Sequence, residues 1–334
     1  MRRVIVVDGT FLKNKYKGVL LVATTVDGNT NLYPIAFGVV DSETGDSWEW
    51  FLRQLKVVIA DSKDLAFVSD RAASIAKALG NVYPRSRHGI CIHHLLTNVV
   101  KNFKTKGLSS LVEKASQAYR FPEFQERFTE IVEMCPALGR YLQEADVRKW
   151  ARSIFPGARY DIRTNNPAES INSVRRSPRQ YRVIPLLDSI REMLTRWFYE
   201  RRMLSSKHID PLTVKVEKKI DRRIVKAKGF QVYKVDNYRS LVKGDKYDCH
   251  VDLERRTCTC MEVHRFTDGV YTTATWRTAN VESINPIAVP EVDWNVPAEV
   301  KLAKVLPPEA RKSFGRPVKR RYETVEDKIR SSQG

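Results

Sequence analysis

The chain has 334 residues, of which 42% are hydrophobic, and a formal net charge of +19 at pH 7. This length and composition are sufficient to bury the core of one or two ordinary domains. No run of eighteen apolar residues occurs, which argues against a membrane-spanning helix, and Asp8 interrupts the apolar N-terminal run too early for a signal peptide. The positive charge indicates a polyanionic partner, most commonly nucleic acid.

The positive charge is concentrated in one segment. Between Arg175 and Lys246 there are 20 Lys and Arg against 8 Asp and Glu, so that a net +12 lies in that segment. We expect a phosphate-contacting surface there. The candidate DNA contacts are Arg175, Arg176, Arg179 and Arg182. A solvated helical face is the alternative that the charge count leaves open.

Strand and helix patterns alternate in the first part of the chain. Asp27-Gly28-Asn29 between two apolar runs is a strong hairpin signal, and Ser47 precedes an amphipathic run as a candidate helix cap. The predicted elements in chain order are strands Val4–Asp8, Gly18–Val26 and Leu32–Val40, helix Ser47–Ala60, strand Leu65–Ser69, helix Ala72–Leu79 and strand His88–Ile92.

The pattern becomes helical after this region. Residues 95–150 contain few glycines and carry apolar residues at helical spacing. A further helix is predicted over Leu187–Met203, where Ile190, Leu194, Trp197 and Phe198 share one face, as expected for packing against a core.

Three acidic residues stand at positions where an active site is expected. Asp8 and Asp70 each follow a short apolar strand, and Glu169 opens an amphipathic helix after a proline. Two such carboxylates at neighbouring strand ends, with a third from a helix, suit two Mg²⁺ ions roughly 3.5–4 Å apart, as used in phosphoryl displacement. Each aspartate alone would be an ordinary turn residue, so the three gain weight only together.

The motifs around these residues resemble a known family. The chain reads Asp8-Gly-Thr-Phe11, Ser69-Asp70-Arg71, Cys91-Ile-His-His94 with Asn98 downstream, and Asn165-Asn166-Pro-Ala-Glu169-Ser-Ile-Asn172. In these motifs it is similar to the Mutator-like element (MULE, MuDR-type) transposases of plants. The resemblance implies an α/β fold, an RNase H-like mixed sheet with an all-helical insertion, and a DDE catalytic site.

In that family the DDE residues bind the metal ions, so the resemblance implies that Asp8, Asp70 and Glu169 are catalytic and hold Mg²⁺ or Mn²⁺. It places Cys91, His94 and Arg71 beside the active site. Two ligands such as Cys91 and His94 are half of what structural zinc requires, and a buried cysteine is commonly a small apolar residue.

The resemblance also implies a division of the chain. Residues 1–94 are expected to form the first part of the RNase H-like core, residues 95–160 the helical insertion, and residues 161–205 the final core helices with Glu169. Residues 206–246 are then a basic linker and residues 247–270 a truncated SWIM-like zinc finger. Residues 271–334 are a basic, Pro-rich disordered tail.

The C-terminal part contains a second metal candidate. Cys258-Thr-Cys260 resembles the start of a SWIM-type zinc finger, but no further cysteine follows, only His264. Thiolate and imidazole suit zinc, so Cys258, Cys260 and His264 are candidate Zn²⁺ ligands. A broken remnant of the finger is the alternative.

A basic cluster close to the C-terminus suggests nuclear localisation. Arg316-Pro-Val-Lys-Arg-Arg321 is typical of nuclear import signals, and Gly315-Arg316-Pro317 resembles an AT-hook core. The candidate DNA contacts there are Arg316, Lys319, Arg320 and Arg321. A plain solvated basic tail is the other reading of the same residues.

Together these features predict a MULE transposase catalytic domain that acts on terminal inverted repeats and target DNA. A homo-oligomer is expected, because two element ends must be joined. The alternative is a domesticated or decayed, transcription-regulator-like DNA-binding protein without catalysis, and an RNase H-like nuclease acting on RNA is also open. The sequence starts seven residues before Asp8, so we expect it to lack the N-terminal DNA-binding region of the family.

Overall fold

The computed structural model describes residues 1–14, 17–104, 107–174, 182–244, 248–255, 257–258, 269–284 and 298. The elements below all belong to one structural unit, Met1–Asn295. Within the described ranges, none of the helices combines the length and the apolar character that crossing a membrane requires.

A five-stranded mixed sheet organises the first ninety residues, with the strand order β3-β2-β1-β4-β5. The pairs β1–β2 and β2–β3 are antiparallel, and the pairs β1–β4 and β4–β5 are parallel. The strands are β1 Val4–Phe11, β2 Val19–Val26, β3 Leu32–Val40, β4 Ala66–Ser69 and β5 Arg87–Ile90. The predicted mixed α/β class is confirmed.

Side chains of β1 alternate between the two faces of the sheet, as the period of a strand requires. Ile5 and Val7 pack against helices α1 (Gly45–Val58) and α2 (Ala73–Val82), whereas Val4 and Val6 belong to a separate cluster on the opposite face. The position of Asp8, one step beyond Val7, therefore puts its side chain on the face of Val4 and Val6.

The start of α1 differs from the prediction. Thr44 is the N-cap, and its hydroxyl oxygen accepts a hydrogen bond from the backbone N–H of Ser47 at 3.2 Å. Ser47 as the cap is therefore wrong, because Gly45 and Asp46 already belong to the helix and Ser47 supplies the N–H that the cap satisfies.

The helical pattern after β5 is confirmed. The helices are α3 Ile92–Asn102, α4 Leu108–Gln117, α5 Phe121–Met134, α6 Pro136–Glu144 and α7 Val147–Trp150. They share a hydrophobic cluster of their own, in which Leu95, Ile131 and Trp150 are buried, and the indole N–H of Trp150 donates to the carbonyl of Leu142 at 3.1 Å. The strand predicted over His88–Ile92 ends at Ile90, since Cys91 caps α3.

Two helices cover the second face of the sheet next to Asp8. Helix α8 (Asn166–Val174) and helix α9 (Val183–Lys207) bury Ile171, Leu186 and Ile190 against β2. The predicted core stripe of α9 is confirmed. Ile190 and Phe198 are buried, and Leu194 and Trp197 are partly buried.

The segment predicted as a basic linker, 206–246, contains regular structure. Helix α10 (Val214–Ala227) packs Val216 and Ile220 against the core, because its apolar residues recur at helical spacing among the lysines and arginines. Strands β6 and β7 follow and join a four-stranded antiparallel sheet. Its strands are β6 Gln231–Lys234, β7 Arg239–Lys243, β8 Asp248–Asp252 and β9 Thr257–Cys258.

The prediction that residues 271–334 form a disordered tail is wrong for its first residues. Helix α11 (Thr273–Ala279) places Trp276 at 0% exposure, and its indole N–H donates to Oδ2 of Asp27 in the β2–β3 turn at 3.1 Å. The hydroxyl of Tyr33 donates to the carbonyl of Ala279 at 2.8 Å. Burial of Trp276 is sufficient to order this short helix although the segment that contains it is polar in composition.

Candidate active site

The strand register aligns the predicted site residues across the sheet. Val6 and Val68 are the last pair of the parallel β1–β4 register, and Asp8 and Asp70 each follow two residues later. The backbone N–H of Cys91 donates to the carbonyl of Ser69 at 2.7 Å, which brings Cys91 beside Asp70. Pairing of β1 with β4 ends at Val6, whereas pairing with β2 continues to Phe11. Asp8 thus lies where the parallel part of the sheet opens, not at the end of its strand.

Helix α8 and the residue before it hold the carboxylate of Asp8. The side-chain amide of Asn165 donates to Oδ1 of Asp8 at 3.1 Å, and that of Asn172 donates to Oδ2 at 2.8 Å. The pKa of Asp8 is raised to about 7: burial is the largest cause, the hydrogen bond from Asn165 opposes it, and the charges of Glu169, Asp70 and Glu43 add to the rise. These three acidic residues therefore share the environment of Asp8.

Glu43 is a member of this cluster that the sequence did not indicate. Burial and the charge of Asp70 raise the pKa of Glu43, and the indole N–H of Trp48 donates to its Oε1 at 3.3 Å. A Cβ atom at position 9 would lie only 2.9 Å from that oxygen, so glycine at this position allows the close approach. Glu43 belongs to a loop before α1, where no periodicity marks a functional residue.

Asp70 is oriented by the chain around it. Its Oδ1 accepts the backbone N–H of Ala72 at 2.9 Å, and the hydroxyl of Ser69 donates to its carbonyl oxygen at 2.8 Å. Nε2 of His88 lies 2.9 Å from the same hydroxyl oxygen, and burial lowers the pKa of His88 to about 4. A neutral His88 therefore donates from Nε2 to Ser69, which fixes the end of β4.

Glu169 reaches the cluster from α8. It lies in the first turn of the helix, three residues before Asn172, and positions three apart lie on the same side of a helix. That spacing within the Asn165–Asn172 motif is a signal by which Asn172 could have been found from the sequence. Asn165 precedes the helix and carried no such pattern.

Cys91 holds Asn165 in place. Its thiol donates to Oδ1 of Asn165 at 3.2 Å, and the sulfur accepts the backbone N–H of the same residue at 3.3 Å. The thiol is buried, and burial raises its pKa. Cys91 is therefore a positioning residue for Asn165. His94 lies half-buried in the first turn of α3, and its Nδ1 is buried without a hydrogen-bond partner.

The predicted arginine beside the site contacts the helical region. The guanidinium of Arg71 hydrogen-bonds to the hydroxyl of Tyr141 on α6 and lies 5.1 Å from the centre of its ring. Residue 71 thus connects the end of β4 to the α3–α7 cluster. Arg182, a predicted DNA contact, is exposed as the N-cap of α9.

Most of the other predicted site residues lie outside the described residues. These are Arg175, Arg176, Arg179, Cys260, His264, Arg316, Lys319, Arg320 and Arg321. Of the proposed zinc ligands, Cys258 is described, and it is buried on β9.

The cluster is rich in acidic groups that have no cationic partner within the described part of the chain. Among the ion pairs of the described ranges, none involves Asp8, Glu43, Asp70 or Glu169. In the same ranges, no three His, Cys, Asp or Glu side chains are arranged to hold a metal ion as they stand. Both oxygens of Asp8 are engaged by amides instead. The arrangement can take up a proton near pH 7, or a cation if the amides of Asn165 and Asn172 give way.

Comparison with known proteins finds similarity over part of the chain. The chain is 23% identical over 154 residues to Protein FAR1-RELATED SEQUENCE 6 of Arabidopsis thaliana, which is 46% of this chain and 21% of that protein. It thus spans about a fifth of that relative's length.

A solved chain from the simian T-cell lymphotropic virus intasome in complex with PP2A regulatory subunit B56 gamma is 10% identical. The match covers 75% of this chain and 79% of that one, but its TM-score of 0.21 is too low to indicate a shared fold.

The MULE transposase domain model matches residues 4–98, the part with the mixed sheet, Asp8, Asp70 and Cys91. Residues 4–98 are therefore similar to the MULE transposase domain.

Proposed function

We propose that this chain is the catalytic core of a Mutator-like transposase, which cleaves and joins DNA strands with the help of divalent metal ions. The observation that carries the proposal is that Asp70 and Glu169 lie close enough to Asp8 for their charges to act on it. The three residues come from β1, from the end of β4 and from α8, and two of them raise the pKa of the third. Clustering of acidic residues from distant segments is characteristic of functional sites.

The topology supports an RNase H-like core as part of this proposal. Three antiparallel strands, β1 to β3, precede two parallel strands, β4 and β5, and a helical region separates β5 from Glu169. This is the order of elements that the family resemblance implies.

The donor set fits Mg²⁺ or Mn²⁺. Asp8, Asp70 and Glu169 would hold the metal, because hard divalent cations prefer carboxylate oxygens and no ammonium or guanidinium neutralises these groups in the described ranges. When bound, the metal would compensate charge on the attacking and leaving oxygens of a phosphodiester. Asn165 and Asn172 orient Asp8, and the buried, unpartnered Oδ1 of Asn172 is a further oxygen beside the site.

Partners and location follow from the same proposal. The net charge of +19 supports DNA as the partner, with terminal inverted repeats and target DNA as the substrates. A homo-oligomer is favoured because two element ends must be joined. The basic cluster at 316–321 supports a location in the nucleus. Zinc bound by Cys258, Cys260 and His264 in a truncated SWIM-like finger is a separate proposal that rests on ligand chemistry alone.

A second candidate function is favoured by one observation. Both oxygens of Asp8 accept hydrogen bonds from asparagine amides, which is also a stable arrangement for a site that no longer binds metal. The chain would then be a domesticated or decayed transposase that binds DNA without cleaving it.

Strand cleavage on labelled DNA that carries the terminal repeats tests the proposal. We expect cleavage with Mg²⁺ or Mn²⁺ by the native chain and its loss in Glu169→Gln, with DNA affinity retained. Glu192→Gln, an exposed position on α9, is the matched control and should cleave normally. Cleavage that survives Glu169→Gln contradicts the site assignment. Salt-sensitive DNA binding without cleavage by the native chain favours the second candidate.

A further inference from the structure

A groove formed by two adjoining cavities lies away from the acidic cluster. The first cavity has a volume of about 260 Å³ and the second of about 390 Å³, and Tyr119 and Asp161 line both. The first is also lined by Arg2, which stands six residues before Asp8 in the direction of β1. At about 3.3 Å per strand residue, that separation is roughly 20 Å. The groove is therefore distinct from the candidate active site.

Each cavity contains a buried arginine whose Nε has no hydrogen-bond partner among the described residues. Arg2 is 7% exposed, and its guanidinium lies 5.6 Å from the ring centre of Tyr160 and 5.4 Å from that of Tyr271. The side chain of Arg152 is also 7% exposed and lies 3.5 Å from the ring centre of Tyr119. A buried charged group with an unsatisfied donor is costly unless an anion reaches it.

Arg152 already has a partial partner. Its Nη2 pairs with Oδ1 of Asp161 at 2.7 Å, but that carboxylate is 60% exposed at the boundary between the two cavities. The pair thus orients the guanidinium and leaves its Nε unsatisfied. Arg2 has no ion pair with a described residue, and its guanidinium lies against two tyrosine rings.

Further cations surround the two buried arginines. In the first cavity Lys215, Lys219 and Arg223 follow one another at intervals of four residues along α10, so they form one row on the helix. The second cavity is lined by Lys114, Arg127 and Arg163 in addition to Arg152. Asp161 and Glu123 are the acidic residues that line the groove within the described ranges. The lining is thus strongly positive along its length.

The aromatic residues of the groove indicate which part of a nucleic acid it can contact. The rings of Tyr119, Tyr160 and Tyr271 lie against the guanidinium groups of Arg152 and Arg2. Tyr160 and Tyr271 are also buried, so they offer little ring surface for stacking on bases, which is how aromatic residues bind single strands. The excess of cationic groups in the lining instead suits successive phosphate groups.

We propose that this groove binds the phosphate backbone of a DNA duplex without reading its sequence. The proposal rests on DNA as the partner under the proposed function, but it concerns a surface that extends from Arg2, roughly 20 Å from Asp8 along β1, and includes none of the acidic cluster. The groove would hold a duplex beyond the cleaved strand, and its contribution is to affinity and not to the chemical step.

The test compares two double variants of α10 that remove the same charge. Lys219→Gln with Arg223→Gln removes two groove cations, and Lys218→Gln with Arg222→Gln removes two exposed cations that do not line the groove. Affinity for a labelled duplex of arbitrary sequence is measured from about 50 to about 200 mM salt. The groove variant should reduce the dependence of log K on log salt by about 1.8, or about 0.9 for each lost phosphate contact, with roughly tenfold or more weaker binding at low salt. The control variant should keep the native salt dependence.

Three results would overturn the proposal. Equal loss in both double variants would mean that α10 acts only through its overall charge. Displacement of the duplex by inorganic phosphate at matched ionic strength would assign the groove to a free anion. Loss of polyglutamate binding in the groove variant, with unchanged duplex binding, would assign it to an acidic protein.

The outcome is separable from that of the proposed function. A native chain that cleaves no DNA but shows the groove-dependent salt effect supports the groove and contradicts the catalytic assignment. If the native chain cleaves DNA and the groove variant binds DNA as tightly as the native chain, the catalytic assignment is supported and the groove proposal is contradicted.

Discussion

The side-chain amide of Asn172 donates to Oδ2 of Asp8 at 2.8 Å, which joins helix α8 to strand β1 across 164 positions of sequence. Because Asn172 lies three residues after Glu169 on that helix, the bond also determines how far Glu169 stands from Asp8. The geometry of the acidic cluster therefore depends on an uncharged residue.

Replacing Asp8 by asparagine should make the metal-free protein less sensitive to alkaline pH. Folding raises the pKa of Asp8 from 3.8 to about 7, so the contribution of this carboxyl to stability is complete below about pH 4 and is lost as the pH rises through 7. An amide has no charge to bury. Relative to the native chain, we expect Asp8→Asn to gain up to roughly 4 kcal/mol in the free energy of unfolding between about pH 4 and about pH 8, in addition to a pH-independent loss because the new NH₂ group faces a donor of Asn165 or Asn172. Urea unfolding with a chelator present measures both values, and a difference between the variant and the native chain that does not change with pH would contradict the burial of this charge.

Removal of the Asn165 side chain should raise the pKa of Asp8 further. The hydrogen bond from Asn165 lowers that pKa, so Asn165→Ala leaves burial and the neighbouring charges unopposed. The variant also leaves the thiol of Cys91 without its acceptor, and we expect a loss of about 1–3 kcal/mol in the free energy of unfolding. The measurement is a carboxyl-carbon NMR titration of Asp8. Asn166→Ala, at an exposed neighbour, should leave the titration unchanged.

His88 should make the fold sensitive to acid. Burial lowers its pKa from 6.5 to about 4, so its contribution to stability is complete above pH 6.5 and is lost as the pH falls through 4. The loss should be no more than about 3 kcal/mol, since the half-buried ring keeps some contact with water. Unfolding across this pH range should show a smaller loss in His88→Gln than in the native chain. The exposed His93→Gln is the control, and an identical pH profile for both variants would show that His88 is not the source.

Trp276 should be a major determinant of stability, although it lies in a segment predicted to be disordered. Its full burial and its hydrogen bond to Asp27 predict a loss of about 3–5 kcal/mol on Trp276→Ala. Thr278→Ala, on an exposed side of the same helix, should cost less than about 1 kcal/mol. Chemical denaturation of both variants is the measurement. A native-like midpoint for Trp276→Ala would mean that α11 contributes little to the core.

The strands and helices of the first ninety residues were predictable because each shows the hydrophobic periodicity of its type. The hairpin around Asp27, the helix containing Trp48 and the strand ending at Ser69 each show a pattern within a few residues. The ends were less accurate, as the cap at Thr44 and the end of β5 at Ile90 show. A helix or strand end depends on which backbone groups find partners, and a local pattern shows this poorly.

The closeness of Asp8 and Asp70 was also predictable, because β1 and β4 are neighbouring parallel strands and both residues follow the paired part of their strands. Glu43 was not, since a loop glutamate acquires its role only through the close packing of Gly9 and the orientation of Trp48. Asn165 and Asn172 stood in a recognised motif, but their role as donors to Asp8 depends on how α8 packs on the sheet.

The sequence by itself determined the mixed α/β class, the candidate residues Asp8, Asp70 and Glu169, and the strongly basic character of the chain. These properties are carried by residue type and by spacing along the chain. Only the tertiary structure decided which acidic residues share one environment, which asparagines hold Asp8, and which arginines are buried in the groove. Burial and the charges of neighbours set the pKa and the hydrogen-bond partners of a side chain, and both depend on segments that meet only when the chain folds.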